Sequence, residues 1–115
     1  MKTIEERAGY LYVEFDGSTD TNALISLMEE MAQVCRAKNI KKILADLRNS
    51  SGKPSLFQRY ELGVMGAIIL RGLQIAVVYQ ADENNHFAES VAVNRGLPAI
   101  ITDDPEKAKR WLGVT

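Results

Sequence analysis

Three short apolar runs, each followed by a segment with helical periodicity, constrain the fold of this chain more than any other feature. The runs occupy residues 42–47, 74–79 and 99–102. Runs of this length that lack a polar face are typical of strands covered by helices on both sides. Their alternation with helices predicts parallel strands joined by right-handed crossovers.

Four helices are predicted from apolar spacing and capping residues. The first covers residues 20–38, where Leu24, Leu27 and Met31 follow helical spacing and Cys35 joins the same buried stripe. The others are predicted from their caps and stops. They cover residues 56–70, a segment from Asp82 or Asn84 to the stop at Gly96, and a segment from Asp104 to Gly113.

The second helix, residues 56–70, has a distinctive sequence. Ser55 and Gln58 fit the S-x-x-Q capping box, so the helix is expected to begin directly after Ser55. Its apolar residues lie on more than one side. Gly63 and Gly66 lower its helix propensity and indicate close packing against the sheet or against another molecule.

Two further strands are predicted before the first helix, at residues 2–7 and 10–15, joined by a turn at Ala8-Gly9. This antiparallel hairpin is expected at or near an edge of the sheet. The predicted fold class is therefore α/β: a single mixed, mostly parallel sheet of about five strands with four helices. Residues 1–115 are expected to form one domain.

Composition narrows the functional classes. A net charge of -1 offers no general attraction to nucleic acid, so no nucleic-acid partner is expected. Cys35 and His86 are the only cysteine and histidine, which excludes an intrachain disulfide and multi-cysteine or His-rich metal sites. We expect no metal and no cofactor. The N-terminus lacks the apolar stretch of a signal peptide, and no run approaches the ~20 residues of a membrane span. A cytoplasmic location is expected.

The second half of the chain resembles the STAS domain, which occurs in sulfate transporters and anti-sigma-factor antagonists, and the wider SpoIIAA-like group. The resemblance rests on residues 71–78 (RGLQIAVV), residues 87–96 (FAESVAVNRG) and the ending from Asp103 to Trp111-Leu112. It implies a SpoIIAA-like (STAS) architecture over residues 1–115. It also implies a non-enzymatic module that acts through protein–protein contacts and a small anionic or lipid ligand.

The same resemblance implies an alternative, a phospho-regulated anti-sigma-factor antagonist. Such antagonists are switched by a phosphoserine in a loop between a strand and a helix, in a D-S-S/T-G-like context. Residues 49–52 (NSSG) are similar to it, with Asn49 in place of the aspartate. Ser50 and Ser51 are the corresponding candidate phosphosites.

A ligand site is predicted where the central strand ends. The carboxyl ends of parallel strands share one edge of a sheet, and open α/β sheets bind ligands there. Helix N-termini at the same edge favour anions. The candidate ligand-binding residues follow strand 42–47 and open the second helix: Asp46, Arg48, Ser50, Ser51, Lys53, Ser55 and Arg59.

Neither a P-loop nor a catalytic set is present among these residues. Gly52-Lys53 lacks the spaced glycine and the following Ser or Thr of a P-loop, because Pro54 comes next. A small enzyme could use Asp46, Arg48 and His86 at the strand ends, but no catalytic motif is present and no catalytic residue is predicted. The excess apolar surface of helix 56–70 predicts instead a protein partner or self-association through that helix.

Overall fold

The computed structural model describes residues 2–115, in which five strands and four helices follow the predicted order. The strands are β1 (Lys2–Arg7), β2 (Tyr10–Phe15), β3 (Lys42–Asp46), β4 (Gln74–Val78) and β5 (Ala99–Thr102). The helices are α1 (Thr21–Lys38), α2 (Leu56–Ile69), α3 (Asn85–Asn94) and α4 (Pro105–Leu112). The ends differ from the predicted ones by a residue or two, and α3 begins directly after Asn84, one of its two predicted caps.

The strands form one sheet in the order β1-β2-β3-β4-β5. β1 is antiparallel to β2, and every later pair is parallel, with Leu11 opposite Ile43 and Ile43 opposite Ile75. The single mixed, mostly parallel sheet is therefore confirmed. The hairpin forms one edge of the sheet, as predicted, and β5 forms the other.

Alternate residues of β2, β3, β4 and β5 enter two separate cores. Leu11, Ile43 and Ile75 face α1, α2 and α3 in the larger core. Tyr10, Leu44 and Ala76 face the other way, where α4 contributes Ala108 and Leu112. Three helices thus cover one face of the sheet and one helix covers the other. The candidate functional site lies on the face covered by three helices, because α2 and α3 enclose a cavity there against the sheet.

The caps of α1 follow the sequence closely. The Ala23 N–H donates to Asp20 Oδ1 over 2.9 Å at the N-terminus, and Asn39 takes a left-handed conformation with φ of 56° at the C-terminus. Cys35 is 0% exposed, and its burial raises the pKa of the thiol. The prediction that Cys35 is a core residue is confirmed.

α2 begins at the predicted capping box. Ser55 Oγ accepts the Gln58 N–H, and Gln58 Oε1 accepts the Ser55 N–H. Gly63 was predicted to allow close packing against the sheet or another molecule, and this prediction was wrong. A Cβ on Gly63 would lie 2.7 Å from Val91 Cβ, so this glycine permits close contact with α3 rather than with the sheet.

Exposed apolar side chains remain on the outer side of α2. They are Leu56, Phe57, Tyr60 and Ile68, and Phe57 is 69% exposed. None of the helices within residues 2–115 combines the length and apolar content needed to cross a membrane.

Candidate functional site

The loop between β3 and α2 is held in place by backbone hydrogen bonds. The Ser51 N–H donates to the Gly17 carbonyl, and the Thr19 N–H donates to the Ser51 carbonyl, each over 2.9 Å. The Tyr79 hydroxyl lies 3.2 Å from the Gly52 carbonyl. These bonds join the loop to the chain segments that follow β2 and β4, so the loop lies across the carboxyl ends of the strands.

Arg59 is the central polar residue of this edge. It lies in the first turn of α2 and is only 4% exposed. Its Nε donates to the Pro54 carbonyl over 3.0 Å. Its Nη1 and Nη2 lie 3.3 Å from Asn85 Oδ1 and Asp82 Oδ2. A single side chain therefore joins the loop, the start of α2 and the start of α3.

Asp82 is the anion of this cluster. Its Oδ2 accepts from Lys53 Nζ at 2.9 Å as well as from Arg59, and its Oδ1 accepts the Asn84 N–H at 2.8 Å. The Asn84 N–H, the Lys53 ammonium and the Arg59 guanidinium hold the pKa of Asp82 below its ordinary value. Two cations thus share one carboxylate, which leaves the cluster with one net positive charge.

Asn85 is buried and completes the cluster. Its Nδ2 donates to the Gln80 carbonyl over 2.9 Å, while its Oδ1 accepts from Arg59. Both ends of the amide are therefore engaged, as a buried polar group requires. The amide fixes the Arg59 guanidinium relative to the segment that leaves β4.

A cavity of about 140 Å³ lies between α2, α3 and the sheet, directly behind this cluster. Four polar lining residues lie near the carboxyl ends of the strands, beside the apolar Leu47 and Ile101: Thr19, Arg59, Tyr79 and Asn85. The residues at the other end are apolar: Leu70, Ile75, Leu97 and Ala99. Because α2 runs antiparallel to β4, its first turn lies at the polar end of the cavity and its last turn at the apolar end.

Asp46 and Arg48 do not belong to this cluster. They form a local ion pair, with Arg48 Nη2 2.7 Å from Asp46 Oδ2, and this pair lowers the pKa of Asp46. Asp46 is two residues after Leu44 on β3, so both side chains face the α4 side of the sheet. There it neighbours Tyr12, whose burial and hydrogen bond to Glu14 raise the tyrosine pKa to about 12.

The three predicted serines have separate surroundings. Ser50 is buried, and its hydroxyl donates to the Leu47 carbonyl. Ser51 is exposed and contacts the Gly17 to Thr19 turn through its backbone. The Ser55 hydroxyl is used by the capping box. Of the seven predicted ligand-binding residues, the structure thus brings Lys53 and Arg59 together on one carboxylate and separates them from Asp46 and Arg48.

A second, more polar cleft of about 190 Å³ lies between the ends of β4 and β5. Asp82, Asp103 and Lys107 line it together with the exposed His86. His86 Nδ1 lies 3.3 Å from Glu89 Oε2. Within residues 2–115 no group of three or more His, Cys, Asp or Glu side chains is arranged to hold a metal ion.

The sequence indicated Asp82 as a possible helix cap, and it is not among the predicted site residues. The signal for it is its position four residues after the end of β4, at the edge where Lys53 and Arg59 were expected. Asn85 was missed altogether. It reads as an ordinary polar residue in a first helical turn, and only the tertiary fold buries it against Arg59.

Comparison with known proteins supports the architecture. No protein-family model and no curated protein matches the chain. Among solved structures, an uncharacterized protein from the DUF3478 family with a SpoIIAA-like fold, from Shewanella loihica PV-4, is similar with a TM-score of 0.59. The alignment has 18% identity and covers 96% of this chain and 93% of that protein. At this identity the likeness concerns the fold alone, and it confirms the architecture predicted from the sequence: the chain has a SpoIIAA-like, or STAS-like, fold.

Proposed function

We propose that the protein is a non-enzymatic STAS-like regulatory module that binds a small, mainly apolar ligand in the cavity beneath α2. The observation that carries the proposal is the cavity itself, apolar along most of its length and bounded at one end by the Arg59 cluster. Ligand sites commonly combine an apolar lining with a few fixed polar groups. A cytoplasmic location is part of the proposal.

The regulatory part of the proposal rests on α2. This helix covers the cavity with one side and exposes Leu56, Phe57 and Ile68 on another. Exposed apolar groups of this kind are typical of contact surfaces. We propose that α2 contacts a protein partner or a second copy of the chain, so that a ligand beneath the helix alters the contact.

The alternatives are less well supported by the geometry. The enzymatic alternative needs His86 close to Asp46, but His86 lines the polar cleft beside α3 and Asp46 pairs with Arg48 on the α4 side of the sheet. For a phospho-regulated antagonist, the exposed Ser51 is accessible to a kinase, whereas Ser50 is buried. Phosphopeptide mapping after incubation with a cognate kinase tests that alternative.

Cavity occupancy is tested with benzene as a probe. A cavity of about 140 Å³ is close in size to the roughly 150 Å³ apolar cavities that accept benzene. We expect benzene to raise the thermal unfolding midpoint of the wild-type protein, because it binds the folded state only. Ala99→Leu should abolish this rise by filling the cavity, and Ala92→Leu serves as a second filling variant.

Ala37→Leu is the matched control, since Ala37 is exposed on α1 and its substitution leaves the cavity unchanged. The control should respond to benzene as the wild type does. An unchanged midpoint of the wild-type protein in saturating benzene would contradict the proposal. An equal rise in folded Ala99→Leu and Ala92→Leu would place the binding elsewhere.

A further inference from the structure

We infer that the ligand of this cavity is a small carboxylic acid whose apolar part is about the size of a benzene ring and whose carboxylate binds Arg59; this inference rests on the function proposed above. Three features of the site indicate this chemical class. They are the unpaired hydrogen-bond donors of Arg59, the net charge of the cluster formed by Lys53, Arg59, Asp82 and Asn85, and the volume of the cavity.

The donors of Arg59 exceed the acceptors that it contacts. A guanidinium has five N–H groups. The Arg59 side chain uses three, one each to Pro54, Asp82 and Asn85. One N–H on each Nη atom therefore lacks a protein acceptor among residues 2–115, although the side chain is 4% exposed. Buried donors are normally paired, and two neighbouring N–H groups match the two oxygens of a carboxylate.

The charge of the cluster selects a monoanion. Lys53 and Arg59 carry two positive charges, and Asp82 carries one negative charge. A single carboxylate would make the cluster neutral, whereas a phosphate dianion would leave an excess negative charge. Glu89 also lines the cavity and carries a negative charge of its own, but its oxygens lie at the Ile101 N–H, 2.8 Å away, and at His86 Nδ1, 3.3 Å away, and among residues 2–115 it forms no ion pair with Arg59 or Lys53.

The cavity limits the apolar part of the ligand. A volume of about 140 Å³ is matched by one six-membered ring and is too small to enclose a long acyl chain. The ring would lie toward Ile75, Leu97 and Ala99, and the carboxylate toward Arg59 and Tyr79. A single buried guanidinium at one end of a mainly apolar lining thus fits an arylalkanoic or similarly compact branched acid.

The test compares phenylacetate with 2-phenylethanol, which has the same aromatic body but no charge. Affinities are measured at neutral pH from the methyl resonances of Ile75 and Leu97 in protein labelled at methyl groups. We expect phenylacetate to bind roughly tenfold tighter than the alcohol or more, as a charged hydrogen-bonded pair predicts. Arg59→Met should remove this preference and leave the affinity for the alcohol nearly unchanged.

Two further variants complete the design. Arg71→Met makes the same chemical change at an exposed arginine and should keep the preference. Arg59→Lys keeps the charge but lacks the planar fork, so the preference should fall severalfold; it also replaces Arg59→Met if that variant does not fold. Full preference in folded Arg59→Lys would overturn the role assigned to the guanidinium. Equal binding of acid and alcohol by the wild type would overturn this inference alone, whereas binding of neither would overturn the proposed function as well.

Discussion

The two ion pairs at the carboxyl edge of the sheet differ in which parts of the chain they join. Arg59 and Asp82 are buried together with Asn85 and join three segments of the chain. Asp46 and Arg48, two residues apart in sequence, pair with each other at the end of β3. The first pair joins residues 23 positions apart and the second joins residues two positions apart. Arg59 lines the cavity, whereas Asp46 and Arg48 do not.

The Asp46–Arg48 pair predicts a pH dependence of stability. The Arg48 side chain lowers the pKa of Asp46 below its ordinary value of 3.8, so the folded state binds this proton less readily than the unfolded chain. A carboxyl with a lowered pKa stabilises the fold above its unfolded pKa. That stability is lost as pH falls through the folded pKa, below about 4.

Arg48→Gln should therefore reduce the difference in unfolding free energy between pH 7 and pH 3, by less than about 1 kcal/mol because Arg48 is largely exposed. Urea unfolding of both proteins at the two pH values measures this difference. Asp82 also has a lowered pKa, but its contribution is common to both proteins and cancels. A variant whose pH dependence equals that of the wild type would contradict the prediction.

Residues with local roles were the ones predictable from sequence. Asp20, Asn39 and Ser55 act on neighbours within a few positions, so their capping is visible in the order of residues. Asn85 was not predictable, because the residue that explains its burial, Arg59, is 26 positions away. Local chemistry can be inferred from sequence, and contacts between distant elements require the fold.

Among the elements, α2 combines three roles. Its first turn contributes Arg59, its inner side covers the cavity, and its outer side exposes apolar residues. Its two interior glycines look equivalent in sequence, yet their surroundings differ. A Cβ at Gly63 would meet Val91 Cγ1 at 2.7 Å and the Ala88 carbonyl at 2.9 Å. A Cβ at Gly66 would meet nothing closer than Leu97 and Met28 at 3.7 Å.

The two glycines therefore form a matched pair for mutation. Gly63→Ala should destabilise the protein by about 1–3 kcal/mol, because α2 and α3 must move apart to relieve the overlap. Gly66→Ala should be neutral or stabilise it by up to ~1 kcal/mol, since alanine favours the helix and meets only ordinary contacts. Denaturant unfolding of both variants measures the two changes. A Gly63→Ala protein as stable as Gly66→Ala would contradict the close packing of α2 on α3.

At the scale of the whole molecule, most of the fold could be predicted and only part of the site. Alternating apolar runs and caps sufficed for five strands, four helices and the edge hairpin within residues 2–115. The strand-end rule points to the edge of the sheet at which Lys53, Arg59 and Asp82 lie together. It could not separate the two faces of that edge, so Asp46 and Arg48 were grouped with Lys53 and Arg59. Which face of the sheet a residue lies on depends on the path of the strand. The sequence pattern does not determine this path for the polar residues at the end of an apolar run.

Both outer strands of the sheet are protected against further pairing. β1 carries charges along its length, including Glu5, Glu6 and Arg7, which discourage a sixth strand. β5 is apolar and short, and its protection comes from α3. Glu89 Oε1 accepts the Ile101 N–H over 2.8 Å, in the place that a neighbouring strand would occupy. A side chain from a helix thus acts as a cap on the open edge.

Removing this cap should expose the edge. Glu89→Ala leaves the Ile101 N–H without its acceptor, which we expect to destabilise the fold by about 1–3 kcal/mol and to promote pairing between copies along β5. Thermal unfolding measures the first effect, and light scattering at increasing protein concentration measures the second. Glu83→Ala, at an exposed position before α3, removes the same charge without touching the sheet and is the control. If Glu89→Ala and Glu83→Ala show the same stability and the same mass at every concentration, the Glu89 side chain does not guard the edge, and the shortness of β5 alone protects it.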